Sequence, residues 1–350
     1  MNNKLYILFR FYIKIVLFFF HKKIIVFGTQ NIPDKGPVLF IANHQNALID
    51  ALLIPTTISC EIYFLSRASA FRNKWVSAFL KSLNMIPVFR LRDGIKTIKN
   101  NVEVFEKCVE LLKEGKGIEI FAEGEHHLTR KIIPLKKGFA RIVLATLQKY
   151  PDLKIQIVPI GLNFDSHLNF PSSVSVIYGK PILANEFIDY LNPDIRFLAL
   201  TNKVKNELKK LTLHIENKKK YDEIIAQLMQ QNIDFLNPEE ANKMVINLPD
   251  KSILITKKNI EINWWFPFHL IAKLNSIFPL LIWWYIKPKI KEIIFISTFR
   301  FALIATAFPI FYLIQTAFVY AFFNLKIAII YLLITILLGI ISTKTMKVTL

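Results

Sequence analysis

The sequence predicts an α/β protein: a mostly buried mixed sheet flanked by helices, with a membrane-apposed helix before it and a transmembrane helical hairpin after it. Three observations predict this. Between residues 24 and 185, short β-branched and aromatic runs alternate with helical stretches, the pattern of a layered α/β fold with a buried sheet. In residues 1–23, Leu5, Phe9, Tyr12, Val16 and Phe20 recur at helical spacing among Lys4, Arg10, Lys14, Lys22 and Lys23. Near the end lie two uncharged runs, about 301–325, long enough to cross a bilayer, and 327–343, at the lower limit for doing so.

Composition narrows the function. The 350 residues carry a formal charge of +19, yet 53% of them are hydrophobic. A nucleic-acid binder is seldom so apolar, so none is expected as partner. Basic and apolar together fit a protein on an anionic membrane face or one that takes phosphorylated substrates. Cys60 and Cys108 are the only cysteines, too few for a disulfide scaffold or zinc site, and a reduced, cytosol-facing compartment follows. Arg10 and Lys14 interrupt the N-terminal apolar stretch and no small-residue cleavage site follows, so a cleavable signal is not expected.

A basic, Phe-rich helix such as 1–23 lies in an interface more readily than it spans one. Strands are predicted at 24–27, Val38–Ala42, 62–65, 85–89, 117–121, 155–160 and 174–178. Helices are predicted at 47–54, limited by Pro55, and at 74–83, 95–113 and 138–148. Residues 186–263 read as a charged helical extension with no strong apolar face outside 224–228. The aromatic segment 264–286 contains Pro267 and Pro279 and has basic sequence on both sides, so it is expected to be re-entrant or interfacial. Basic residues at 287–291 and at Lys344 and Lys347 flank the hairpin, which places both its ends on the cytoplasmic side with the α/β domain.

The chemistry centres on Asn43-His44-Gln45-Asn46-Ala47-Leu48-Ile49-Asp50. In a regular helix His44 and Asp50 would lie about 240° apart, so they meet only if Gln45-Asn46 is a turn. A histidine there, oriented by a carboxylate, is what a general base needs. Three further clusters sit at strand ends or before a helix: Ile86-Pro87-Val88-Phe89-Arg90, Phe121-Ala122-Glu123-Gly124-Glu125-His126-His127, and Pro134-Leu135-Lys136-Lys137-Gly138. Ligand groups gather at strand C-termini in open α/β sheets, and backbone N–H groups with two lysines suit a phosphate. Gly-x-Ser-x-Gly, Gly-x-x-x-x-Gly-Lys and Gly-x-Gly-x-x-Gly do not occur, which removes the anchors of serine hydrolase, ATPase and Rossmann readings. His126-His127 lacks spaced carboxylate or cysteine partners, so no metal is expected.

Asn43-His44 with Asp50, then Ile86-Pro87-Val88-Phe89-Arg90, then Phe121-Ala122-Glu123-Gly124, then Val158-Pro159-Ile160-Gly161 resemble in their order the four blocks of the glycerolipid acyltransferases, the family of bacterial lysophosphatidate acyltransferase, over roughly residues 25–185. Five residues rather than the family's usual four separate His44 from Asp50. With Leu135-Lys136-Lys137-Gly138 and Gly161-Leu162-Asn163-Phe164, this looks like the branch of the yeast-type glycerol-3-phosphate/dihydroxyacetone phosphate acyltransferases. Ala122 stands where the family usually has Pro, and Asn84 where it often has Gly. The resemblance implies a membrane-bound acyltransferase of phospholipid biosynthesis. His44 would be the base and Asp50 its orienting partner. Arg90, with Lys136 and Lys137, would hold the acceptor phosphate, while Glu123 and Gly124 shape the acceptor site. The donor would be a thioester of coenzyme A or acyl carrier protein, without metal or redox cofactor. The acceptor would be glycerol 3-phosphate or dihydroxyacetone phosphate, or alternatively 1-acylglycerol 3-phosphate. A catalytically silent lipid-binding protein on the same fold is the reading from another class.

Overall fold

The computed structural model describes residues 3–89, 101–188, 192–248 and 263–346. Helix α1 (Asn3–Phe20) leads into β1 (His21–Phe27), β2 (Val38–Ala42), α2 (Leu48–Thr57), β3 (Ile62–Arg67), α3 (Lys74–Ser82) and β4 (Met85–Val88). Then come α4 (Asn101–Lys113), β5 (Gly117–Ile120), α5 (Gly138–Lys149), β6 (Gln156–Phe164), β7 (Ser172–Tyr178) and β8 (Ile182–Leu183). Among the described residues these strands form one eight-stranded sheet of order β1-β7-β6-β2-β5-β3-β4, with β8 pairing β6. Pairing is parallel except where β6 meets β7 and β8, so the sheet is mixed.

Strand β2 lies between β5 and β6 and is buried at all five positions, as a continuous apolar run in a sheet covered on both faces should be. Its pleat divides the core. Leu39 and Ile41 pack with Ile118 and Ile120 of β5 toward α4 and α5. Val38, Phe40 and Ala42 pack with Ile49, Leu52 and Leu53 of α2 and with Leu17 and Phe20 of α1. The outer face of α1 exposes Ile7, Leu8, Phe11, Ile15 and Phe18, an apolar stripe at helical spacing.

The structure corrects several expectations. Pro55 lies inside α2 instead of ending it. It comes late enough that the Thr56 and Thr57 hydroxyls, which donate to the carbonyls of Leu52, Leu53 and Ile54, supply bonds in the last turn. Strand β6 runs on to Phe164, because its far half pairs with β7 beyond the end of β2. In the extension, α6 (Pro193–Leu211) does have an apolar face: Leu200, Val204 and Leu208, four residues apart, are fully buried against the sheet domain. The start of the expected helix 95–113 lies outside the described residues.

After α7 (Tyr221–Gln230) and α8 (Pro238–Asn247) the chain becomes apolar. Helices α9 (Phe266–Asn275) and α10 (Ile277–Ile286) meet at Ser276 with an 81° bend. The expected span at about 301–325 falls on α11 (Ile296–Ala305) and α12 (Ala307–Phe322), which follow one another across Thr306 in one apolar helical stretch, and α13 (Leu325–Thr345) packs against α12. Asn324 caps α13, its side chain accepting the Ile327 N–H at 3.0 Å, so Lys326 lies within the helix and not in the turn. Among the described residues, two helical stretches, Ile293–Phe322 and Leu325–Thr345, are each long and apolar enough to cross a membrane.

Candidate active site

The site begins where β2 ends. Asn43 continues the ladder with its side chain: Nδ2 donates to the Leu162 carbonyl at 2.9 Å, and Oδ1 accepts the Leu162 N–H at 2.7 Å. The chain then turns tightly enough to hold Ala47 at φ +43°, a conformation L-residues seldom adopt. That turn brings Asp50, in the first turn of α2, back under the histidine. His44 Nδ1–H donates to Asp50 Oδ2 at 3.0 Å, and the same oxygen accepts the Asn46 N–H at 2.6 Å. Asp50 is fully buried, whereas the His44 side chain keeps 16% exposure. With its proton on Nδ1, the imidazole presents Nε2 as its basic nitrogen.

Residues after β5 frame the imidazole. Phe121 stacks on it with centroids 4.1 Å apart and planes 17° from parallel, and His126 meets it edge-on at 5.5 Å. Glu123 is completely buried behind the ring, its Oε2 accepting the His44 backbone N–H at 3.2 Å and His127 Nε2–H at 3.1 Å. The His44 carbonyl in turn accepts the His127 N–H at 3.1 Å. Burial disfavours a charged His127, but the hydrogen bond and charge of Glu123, the Thr129 contact and Glu125 outweigh it and raise its pKa. Gln45 anchors the turn on its other side: Nε2 donates to the Thr129 carbonyl at 3.0 Å and Oε1 accepts from His167 Nε2 at 3.1 Å. Arg130, buried and donating to the carbonyls of Phe164 and Asp165, has its pKa lowered by desolvation to about 10.

Of the residues singled out from sequence, His44, Asp50, Glu123 and Gly124 come together. Gly124 adopts φ +72°, and a Cβ there would lie 2.9 Å from Lys136 Cγ, so the Lys136 stem crosses it closely. The Lys136 N–H donates to the Ala122 carbonyl at 2.7 Å, which ties the lysine segment to the Glu123 turn. Lys136 and Lys137 are exposed. Arg90 lies outside the described residues; Phe89 before it is held at both backbone groups by the Asn101 side chain. Sequence reading missed Asn43 as a ladder mimic, Phe121 as the platform and Gln45 as the anchor. It also missed Phe295 at the foot of α11, whose ring lies 5.1 Å from His126.

Residues 23–163 match the family model described as Acyltransferase. The 1-acyl-sn-glycerol-3-phosphate acyltransferase of Bacillus subtilis is 28% identical over 191 residues, covering 53% of this chain and 86% of that protein. The protein of the same name from Borreliella burgdorferi is 32% identical over 184 residues, covering 51% and 68% respectively. Glycerol-3-phosphate O-acyltransferase 2 of Saccharomyces cerevisiae is 22% identical, covering 62% of this chain and 43% of its own length. The matched region contains both members of the buried pair, His44 and Asp50, and the Glu123 turn that holds them, and on this agreement of sequence and geometry the chain belongs to the glycerolipid acyltransferase family.

Proposed function

We propose that this acyltransferase moves a fatty acyl group from an acyl thioester to a hydroxyl of a glycerol phosphate-type acceptor, glycerol 3-phosphate or dihydroxyacetone phosphate. The observation that carries the reading is the His44–Asp50 contact at 3.0 Å, with Asp50 buried and His44 partly open. His44 Nε2 takes the acceptor proton as the oxygen attacks the thioester carbonyl carbon. The carbon–sulfur bond then breaks, and the departing thiolate takes the proton back from His44. Asp50 keeps Nδ1 protonated and stabilises the imidazolium between these steps. General-base help of this kind contributes roughly 10²–10⁴-fold. The thioester is already activated, so the reaction calls for no metal or redox cofactor. Lys136 and Lys137, and Arg90 by resemblance, supply positive charge for the acceptor phosphate.

One observation favours a second acceptor, 1-acylglycerol 3-phosphate. Phe295, at the foot of the membrane helices, touches His126 beside His44, giving the site a lipid-facing wall. The two bacterial relatives bearing that substrate's name also align over most of their length. Purified protein in detergent, crossed with these three acceptors and with acyl-CoA and acyl carrier protein donors, tests both readings. His44→Ala should abolish transfer with folding intact, and Asp50→Asn should be severely impaired. More than about a tenth of wild-type activity in His44→Ala would remove the general-base role.

A further inference from the structure

Glu119 is a buried titratable group that the reaction as described does not use. It lies at the centre of β5, 1% exposed, and neither carboxyl oxygen has a hydrogen-bond partner. Its neighbours Ile118 and Ile120 pack toward α4 and α5, so the pleat sends Glu119 to the opposite face. There it is in register with Phe40 of β2 and Phe64 of β3, on the face covered by α2. Asp50 projects from α2 into the same layer, fully buried, with Oδ1 also lacking a partner while Oδ2 serves His44 and Asn46. The core thus contains two neighbouring carboxyls whose unfilled positions are complementary if one of them carries a proton.

We propose that Glu119 is a neutral carboxylic acid that donates its O–H to Asp50 Oδ1 and thereby positions the His44–Asp50 pair. Burial, and then the Asp50 carboxylate beside it, push the Glu119 carboxyl well above the usual range, so the proton belongs on Glu119. Asp50 Oδ2 meets His44 Nδ1–H and the Asn46 N–H directly, so the carboxylate that serves the imidazole is Asp50. From β7 the Tyr178 hydroxyl also senses Glu119, but burial keeps it protonated and its hydrogen bond goes to Thr57 at 2.7 Å. Glu119 touches no substrate. Its O–H draws charge from Asp50 and fixes the rotamer that His44 needs, which makes it a positioning residue.

The inference rests on His44 being the base, and the test separates the two. The pH profile of kcat/KM is measured for wild type, Glu119→Gln and Glu119→Met. In parallel, the pH dependence of His44 modification by diethyl pyrocarbonate is followed, with His44→Ala as blank. Glutamine keeps a neutral donor, so both profiles should overlay wild type and kcat/KM should stay within about threefold. Methionine removes the donor and leaves Asp50 a stronger partner for the imidazolium. It should lower kcat about tenfold and move the acid limb and the His44 titration up by about half a pH unit. An ionised Glu119 would show itself as a downward shift in Glu119→Gln, where a negative charge is lost; that result overturns the proposal. So does a methionine variant with wild-type rate and titration. If Glu119→Met does not fold, the glutamine titration decides alone. Activity surviving in His44→Ala would count against the base reading, while the modification titration would still report on Glu119.

Discussion

Glu123 holds the backbone of His44: its Oε2 lies 3.2 Å from the His44 nitrogen, and no part of its side chain reaches solvent. The family resemblance places Glu123 in the acceptor site, whereas its position here makes it the strut that fixes where the base sits. Glu123→Ala would leave the buried His44 N–H unsatisfied, at a cost of about 1–3 kcal/mol. It would also release His127. We expect a lower unfolding midpoint and a kcat reduced about tenfold or more, with the acceptor KM changed much less. A rise in acceptor KM at unchanged kcat would return Glu123 to the acceptor site. Steady-state kinetics with thermal unfolding distinguish the outcomes.

The phosphate reading concerns Lys136 and the glycine it crosses. Lys136→Met keeps the stem that packs on Gly124 and removes the charge. It should raise the KM for the phosphorylated acceptor by roughly tenfold, the value of one charge-assisted contact, and leave the donor KM unchanged. Gly124→Ala places a Cβ 2.9 Å from Lys136 Cγ at a backbone φ of +72°, so it should disturb the same KM and also destabilise by about 1–2 kcal/mol. Equal effects on donor and acceptor in Lys136→Met would assign the lysine to general surface charge.

The parts of this site that were legible in sequence are those encoded locally. Strand β2 announced itself because five consecutive buried positions all needed apolar side chains. The His44–Asp50 pair was legible as a condition, since six residues of separation forbid contact in a helix and permit it across a turn. Glu123 was visible as a carboxylate after a strand, but its partner is 79 positions away, and only the pairing of β2 with β5 brings the two strand ends together. Phe295 gave no signal because the packing of α11 onto the sheet domain is a long-range event. The stripe Leu200, Val204 and Leu208 was hidden differently, its spacing present but interspersed with lysines.

His21 makes stability sensitive to acid. Its ring is fully buried, donates from Nδ1 to the Ser172 carbonyl at 3.2 Å and leaves Nε2 unpartnered. Desolvation, with a further contribution from Lys344, lowers its pKa to about 4 against an ordinary value of 6.5. The folded chain therefore resists a proton that the unfolded chain accepts between those values. Stability is complete above pH 6.5, falls as pH drops toward 4, and levels off below it. The loss from this one group is on the order of 3 kcal/mol. Comparing unfolding midpoints at pH 7 and pH 5 in detergent, His21→Gln should show a smaller drop than wild type. Identical drops would place the acid sensitivity elsewhere.

The apolar C-terminal helices have both their ends fastened to the sheet domain. At the foot of α11, Ser297 Oγ donates to the His167 carbonyl at 2.7 Å and Arg300 donates to the Leu168 carbonyl at 3.0 Å. At the end of α13, Lys344 Nζ donates at 2.7 Å to the carbonyls of Phe18 and His21, where α1 passes into β1. Between these anchors, α13 runs 21 residues from its cap at Asn324. At 1.5 Å per residue it is roughly 31 Å long, about the thickness of a hydrocarbon core. Lys344 lies at the domain end, and the flanking basic residues predict that this end is cytoplasmic. Asn324 should therefore face the opposite compartment and Met346 the same one as the catalytic domain. With Cys60 and Cys108 replaced by alanine, Asn324→Cys and Met346→Cys should react with a membrane-impermeant maleimide from opposite sides of sealed vesicles. Labelling of both from one side would mean that α12 and α13 lie along the bilayer surface and do not cross it.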